Sequence, residues 1–406
     1  MPAIRRRPLL GAATAALLPA PAPAQGGEIR FGALFPFSGH LALLGDEGFR
    51  GLELAAEERN AAGGLLGRAI RLVRGDATDQ AQAAAELRRL IGPERASAVF
   101  GTTASALAFA ATQLAELQGV PYFELGATAD TITDRDFRFV FRTCPRASDY
   151  AAMTAAAIAE LLAPVLGAEP PALRIAILHE DGLDGQTIGT AQEAQLRGRG
   201  LTVLERLAYP ARGADIAASV LRLRSIGAEI VLHSGTQNDI TPLFRAFQEA
   251  SWRPRMVIGA GAGYSLTDTA RALGAAFEGV MNVDVTAFAV NDRLAPGAAP
   301  FAELYRRRYG SDPRSGHSLA SYTGARICLD AVQRAGAADK DRIRTAVLAT
   351  DIAEGATANG WGVRFDERGQ NLRARPFVAQ WQGGRLVTVF PAEAAVAPLR
   401  PALGSG

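Results

Sequence analysis

Two doubly wound α/β lobes joined by a three-segment hinge are what this sequence predicts, and three observations carry the prediction. From Glu28 onward, short apolar runs alternate with amphipathic helical patterns, the order that builds a parallel sheet covered on both faces. After residue 145 the same alternation starts afresh beyond an alanine-rich stretch. A chain of 406 residues with 48% hydrophobic and 21% charged content is globular, and it is longer than one core comfortably serves.

The first strand is expected at Ile29–Leu34, followed by the loop Pro36-Phe37-Ser38-Gly39 and a helix from about Gly45 that places Phe49, Leu52 and Ala56 at helical spacing. Asn60 to Val73 closes that helix and launches the next strand. Asn60 and the pair Gly63-Gly64 accept positive φ at a helix end, Gly67-Arg68 turns again, and Ile70 and Leu72 alternate. A helix at Gln80–Ile91, a strand at Ala96–Phe100, a helix at Ala104–Leu117 and a strand at Pro121–Glu124 follow, and the alternating Phe137–Arg142 carries the chain out of the first lobe. In the second lobe a helix at Ala147–Leu166 precedes strands at Arg174–Leu178, Leu201–Ala208, Glu229–His233 and Arg255–Ile258, with helices at Gly185–Arg197, Asp215–Ile226 and Thr241–Ala250 between them. Gly279–Val285 reads as a return crossing, after which helices at Phe301–Tyr309, His317–Ala335 and Asp339–Leu348 rejoin the first lobe. Trp361–Phe365 reads as a third crossing, leading to strands at Arg375–Trp381 and Leu386–Phe390. The first lobe is thus expected over 28–144 and 286–360, the second over 145–282 and 375–391, and 392–406 as a flexible tail.

Met1 to Ala24 has the order of an export leader: Arg5-Arg6-Arg7, an apolar run from Leu9 to Leu18, and a small-residue end at Ala22-Pro23-Ala24, with cleavage expected after Ala24. That run is too short for the roughly 20 residues that span a bilayer. Without the leader the chain has 40 basic residues against 41 acidic ones, so the formal +2 of the full sequence becomes about −1. No basic field remains for nucleic acid or an anionic membrane. Arg306-Arg307-Arg308 is splayed around a helix and reads as a solvated face. The only cysteines, Cys144 and Cys328, are expected as two buried, unpaired thiols.

Catalytic constellations are missing from the sequence. Lys340 is the only lysine, and His40, His179, His233 and His317 have no spacing that would set two on one metal, so each reads as a surface or capping residue. Gly259-Ala260-Gly261-Ala262-Gly263-Tyr264 departs from a dinucleotide fingerprint, whose sixth position is glycine. Its glycines instead fit a loop approached closely by a ligand or by the opposite lobe. Neither enzyme activity, cofactor nor metal is expected.

Open-sheet topology points to a binding site, because ligands bind beyond the carboxyl ends of parallel strands, where helix N-termini offer free N–H groups. Gly101-Thr102-Thr103-Ala104-Ser105 and Gly126-Ala127-Thr128 are two such ends, and their hydroxyls and amides suit a carboxylate.

The run Asn60-x-x-Gly63-Gly64-x-x-Gly67-x-x-Ile70-x-Leu72, followed by Asp76, Gln80 and Ala83, resembles the periplasmic binding proteins for branched-chain amino acids, and the likeness extends from about Glu28 to about Pro391. The resemblance implies the type I periplasmic fold, a monomer in the periplasm, hinge closure over a small carboxylate-bearing ligand, and delivery to an ABC permease. It also implies that Ser105, Gly126 and Thr128, with Thr103 and Ala104 beside them, hold the ligand's polar end. Where members of the family carry two tyrosines and a glutamate in the second lobe, this sequence has Asp184, Thr236 and Gly261; Leu44 or its neighbours replace an aromatic, and Thr78 and Ala104 stand where some members have a disulfide. Without that glutamate, either Asp184 or Asp239 meets an ammonium from a new direction, or the ligand has a carboxylate and no amine, with Phe37 and Tyr264 as its apolar surround. The second outcome is slightly favoured. A ligand-sensing domain that feeds a signalling partner is the main rival role, and an enzyme with a cleft carboxylate pair the weaker one.

Overall fold

The computed structural model describes residues 26–211 and 216–404, so the leader lies outside the described residues. The first lobe is built on β1 (Gly26–Phe35), β2 (Arg68–Asp76), β3 (Ala98–Gly101), β4 (Tyr122–Glu124) and β5 (Val140–Arg142). They pair in parallel in the order β2-β1-β3-β4-β5. Period-two alternation lines up Phe31, Phe100, Phe123 and Phe141 across one face, with ring centroids 5.5, 5.0 and 5.8 Å apart in succession. The helices α1 (Ala42–Ala61) and α11 (His317–Ala335) cover that face, while α2 (Gln80–Ile91) and α3 (Ser105–Gln118) cover the other. Gly51 lets α1 and α11 touch: a Cβ there would lie 2.0 Å from the Ser318 carbonyl oxygen.

In the second lobe, α4 (Ala147–Ala157) runs through a π-turn at Ile158–Leu162 into the short α5 (Ala163–Val165). The strands β6 (Ile175–Glu180), β7 (Val203–Tyr209), β8 (Ile230–Ser234), β9 (Met256–Ala260) and β10 (Met281–Asp284) are parallel. β13 (Phe377–Gln382) and β14 (Arg385–Phe390) extend this sheet antiparallel, giving the order β14-β13-β10-β9-β8-β6-β7, while β11 (Asp351–Ile352) and β12 (Val363–Arg364) form a separate ladder. The remaining helices are α6 (Leu183–Gly198), α7 (Ile216–Ser225), α8 (Gln237–Glu249), α9 (Thr267–Leu273), α10 (Ala298–Tyr309) and α12 (Lys340–Leu348). Ile175, Ile177, Ile230 and Leu232 face one core of this lobe, and Ala176, Leu178 and Val231 face the other. Continuous apolar strands are the expected result of a sheet buried on both faces.

The chain crosses between lobes after β5, after β10 and before β13. The third crossing comes later than Trp361–Phe365, because the segment after β12 is still paired with the first lobe: Arg142 N–H donates to Gly369 and Asn371 N–H donates to Arg142, at 2.8 and 3.0 Å. The tail is not frayed through residue 404. Ala394 and Leu399 are buried, and the Gln380 side chain donates to the Arg400 carbonyl at 2.8 Å. Cys144 and Cys328 are unpaired and buried. The histidines differ from expectation: His179 and His233 are buried near the ends of strands whose preceding residues are apolar and face the two cores, and His317, which opens α11, is buried as well.

Candidate functional site

Three strands that border the groove between the lobes end in a buried carboxylate. In the first lobe it is Glu124 at the end of β4, whose two oxygens accept from the amides of Thr102 at 2.8 Å, Gly126 at 2.9 Å and Ala127 at 2.8 Å. One side chain thereby ties the loop after β3 to the loop after β4. Burial pushes its carboxyl above the ordinary range, and those amides together with Arg142 pull it back. Arg142, fully buried, holds the same loop from beneath by donating to the carbonyls of Ala127 at 3.3 Å and Ala129 at 2.6 Å, and it reaches Gln370 of the hinge at 2.6 Å.

That scaffold positions Ser105 at the first turn of α3. Its hydroxyl oxygen accepts from the amides of Thr128 at 3.2 Å and Ala129 at 3.0 Å, so its own hydrogen is free to point across the groove. It points at Asp184, in the first turn of α6 on the second lobe. The Asp184 carboxylate accepts from the Ser105 hydroxyl, from the Ser105 amide at 2.9 Å and from the Thr128 hydroxyl at 3.4 Å. Ser105 is fully buried because that carboxylate covers it. Burial raises the Asp184 carboxyl, and the Ser105 and Thr128 bonds oppose the rise.

In the second lobe Glu180, ending β6, accepts from the amides of Gly182 and Gly185, the latter at 2.7 Å. Thr236 and Asp239 cap α8 reciprocally; Asp239 accepts from the Thr236 amide at 2.7 Å and its hydroxyl at 2.8 Å. Asp284, ending β10, accepts from the hydroxyls of Tyr150 at 2.9 Å and Ser265 at 2.5 Å.

Between the lobes lies a cavity of about 340 Å³, a size at the lower end of the roughly 300–1,000 Å³ usual for small-ligand sites. Its walls carry Leu41, Leu44, Leu107, Leu183 and Leu266, together with Asp79, Glu180, Asp184 and Asp239, and, among the described residues, no lysine or arginine. Thr103 lines it with a buried hydroxyl that has no partner. Among the described residues, no group of three or more His, Cys, Asp or Glu is arranged to hold a metal ion.

The family model for periplasmic binding proteins matches residues 28–385. The chain belongs to the periplasmic binding protein family. This periplasmic binding protein is 45% identical over 393 residues to the Leu/Ile/Val-binding protein homolog 7 of Brucella suis biovar 1 (strain 1330), covering 97% of this chain and 98% of that one. It is 44% identical over 374 residues to homolog 8 of Brucella abortus (strain 2308), covering 92% and 93%. Its fold is similar to that of the leucine-binding protein LivK of Thermotoga maritima, with a TM-score of 0.78 at 22% identity over 89% of this chain and 98% of that one. A solute-binding protein of an ABC transporter from R. palustris, solved with benzoate, gives 0.75 at 21% identity over 91% and 97%. Among the described residues, no helix is long and apolar enough to cross a membrane.

Of the residues picked out from the sequence, Thr103, Ala104, Gly126, Thr128, Asp184, Thr236 and Gly261 line the cavity of this periplasmic binding protein, with Ser105 directly behind Asp184. Tyr264 and Phe37 do not line it. The Tyr264 ring is buried in the second lobe, stacked on Phe277 at 5.8 Å, and its hydroxyl meets His233 at 2.5 Å. Gly259 exists for that ring, since a Cβ there would lie 2.2 Å from it. Only Gly261, at φ 100°, needs the backbone freedom of glycine at the cleft itself. Phe37 lies edge-on to Phe49 with the Arg74 guanidinium 3.8 Å over its ring. The sequence reading missed Glu124, Glu180 and Asp284. The available signal was an acidic residue ending an apolar strand, as in Tyr122-Phe123-Glu124 and Met281-Asn282-Val283-Asp284.

Proposed function

We propose that this protein captures a small carboxylate-bearing ligand, an amino acid or a related acid or amide, in the groove between its lobes and presents it to an ABC permease without catalysing a reaction. The observation that carries the reading is the convergence of the Ser105 amide, the Ser105 hydroxyl and the Thr128 hydroxyl on one carboxylate at the first turn of α3. Three donors aimed at a single partly desolvated carboxylate form a cradle for an anion. The relatives named for Leu, Ile and Val support an amino acid. So does the wall of carboxylates, lined among the described residues by no lysine or arginine, which favours a ligand that also brings an ammonium group. Closure is then a population shift driven by contacts from both lobes.

We place the mature protein in the periplasm as a monomer, beginning at Gln25 after removal of the leader; N-terminal sequencing of the exported protein checks this. A thermal-shift screen across amino acids, aromatic and aliphatic acids, and amides tests the binding role. A ligand that raises the melting temperature binds the folded form preferentially. No shift with any member of these classes refutes the reading.

A further inference from the structure

The anion cradle of the first lobe is already filled, and it is filled from within. Asp184 belongs to the second lobe, yet its carboxylate takes the donors that the cradle offers. Two amides already donate to the Ser105 oxygen, which leaves its hydrogen no role but to serve an acceptor in the groove. Nothing in the local structure of α6 requires Asp184 for capping, since Glu180 already accepts from the amides of Gly182 and Gly185 at that helix start. The chain's carboxylate therefore stands where a ligand's carboxylate would stand. A second feature of the cavity is unused: the Thr103 hydroxyl, about nine-tenths buried, faces it without a partner.

We propose that Asp184 is an internal stand-in for the ligand carboxylate: it bridges the lobes in the empty protein, and a zwitterionic ligand displaces it from Ser105 and Thr128 and then pairs its ammonium with it. This rests on the reading of the groove as a ligand site. In the cradle, one carboxylate replaces another, so the donors keep their bonds and that exchange is close to neutral. Selection comes from the displaced group. Asp184 freed beside Glu180 is a second negative charge in a groove that, among the described residues, is lined by no lysine or arginine, and an ammonium arriving with the ligand compensates it. A plain carboxylic acid displaces Asp184 and leaves it unpaired, whereas an amine without a carboxylate leaves the cradle in its empty-state arrangement. The device therefore favours a ligand that carries both groups.

Leucine, 4-methylpentanoate, which is leucine without its amine, and 3-methylbutylamine, which is leucine without its carboxylate, are the probes. Their affinities for the full mature protein and for Asp184→Ala and Asp184→Asn are measured by calorimetry, with folding checked by circular dichroism. In the wild type, leucine should bind most tightly. In Asp184→Ala the competitor is gone, so 4-methylpentanoate should tighten roughly tenfold while leucine weakens, with Asp184→Asn shifting in the same direction. Small-angle scattering of the ligand-free proteins should show Asp184→Ala more open than the wild type. Unchanged or weaker 4-methylpentanoate binding in both variants, with leucine still bound by the wild type, overturns the exchange and leaves the binding function intact. Ligand-free scattering curves that coincide overturn the bridge. If no amino acid, acid or amide binds the wild type, the reading of the groove falls, and the exchange falls with it.

Discussion

Glu124→Ala should be the most damaging single change that touches no ligand directly. The Glu124 carboxylate is the acceptor for the Thr102, Gly126 and Ala127 amides, whereas the Leu125 amide, 3.0 Å away, also has the Gly101 carbonyl at 2.8 Å. Thr102 and Ala127 are fully buried, so water does not readily replace the lost acceptor; Gly126 is half-buried and can rehydrate. Two orphaned amides at about 1 to 3 kcal/mol each set a gross cost of about 2 to 6 kcal/mol. Relief of the carboxylate's own desolvation works the other way, since burial is the larger influence on that group. A net loss of about 2 to 4 kcal/mol is therefore expected, read as a lower urea midpoint at unchanged slope. Glu124→Gln should recover only part of it, because the new NH₂ group faces donors. Ligand affinity should fall as well, since both cradle loops hang on this side chain. A loss below about 1 kcal/mol with unaltered ligand affinity would refute the claim that Glu124 organises the site.

Two further outcomes follow from buried groups elsewhere. His233 lies between the hydroxyls of Tyr209 and Tyr264 at 2.8 and 2.5 Å, and burial lowers its imidazole from the usual 6.5 to about 3. The unfolded chain takes up a proton near pH 6.5 and the folded chain does not until about pH 3, so stability falls as pH drops through that window. The slope from this group is about 1.4 kcal/mol per pH unit, and denaturation of wild type against His233→Gln at pH 7, 5.5 and 4.5 should isolate it; parallel curves would contradict it. Gly51→Ala gains about 1 kcal/mol of helix propensity, yet its Cβ would meet the Ser318 carbonyl oxygen at 2.0 Å and the Tyr322 amide at 2.9 Å, both backbone. Overpacking against backbone should outweigh the gain, for a net loss of about 2 kcal/mol, while Gly198→Ala, with nothing within 4 Å of its Cβ, should not destabilise.

The elements were legible because their patterns are strong. Ile29 to Leu34 and Glu229 to His233 read as strands from local hydrophobicity alone, and glycines at Gly63, Gly64 and Gly67 do take positive φ where the helix-to-strand joint was expected. The two donor loops were legible for a topological reason: Ser105 and Thr128 follow consecutive parallel strands, and such strands deliver their ends to one edge. Side-chain direction in an irregular loop has no period to read, which is why Tyr264 was expected in the cleft and lies in the core. The contact between Ser105 and Asp184 was out of reach too. It spans two lobes, and no local pattern says how far one lobe closes on the other.

The carboxylates that close the strands explain why so little of this groove is left to choose a ligand. A helix start and the loop before it expose several N–H groups, and each would bind any anion indiscriminately if left open. Glu124 takes those of Thr102, Gly126 and Ala127, Glu180 takes those of Gly182 and Gly185, and Asp239 takes that of Thr236. Among the donors left for an incoming carboxylate are the Ser105 amide and the hydroxyls of Ser105 and Thr128, all three already engaged by Asp184, and the unpartnered Thr103 hydroxyl. Saturating these donors from within narrows what the two helix-start sites accept. Each saturating carboxylate also adds negative charge to the wall, so a ligand that offers only a carboxylate meets repulsion around the very donors that attract it. Specificity in this groove is thus set as much by what the chain's own acids exclude as by what Ser105 and Thr128 hold.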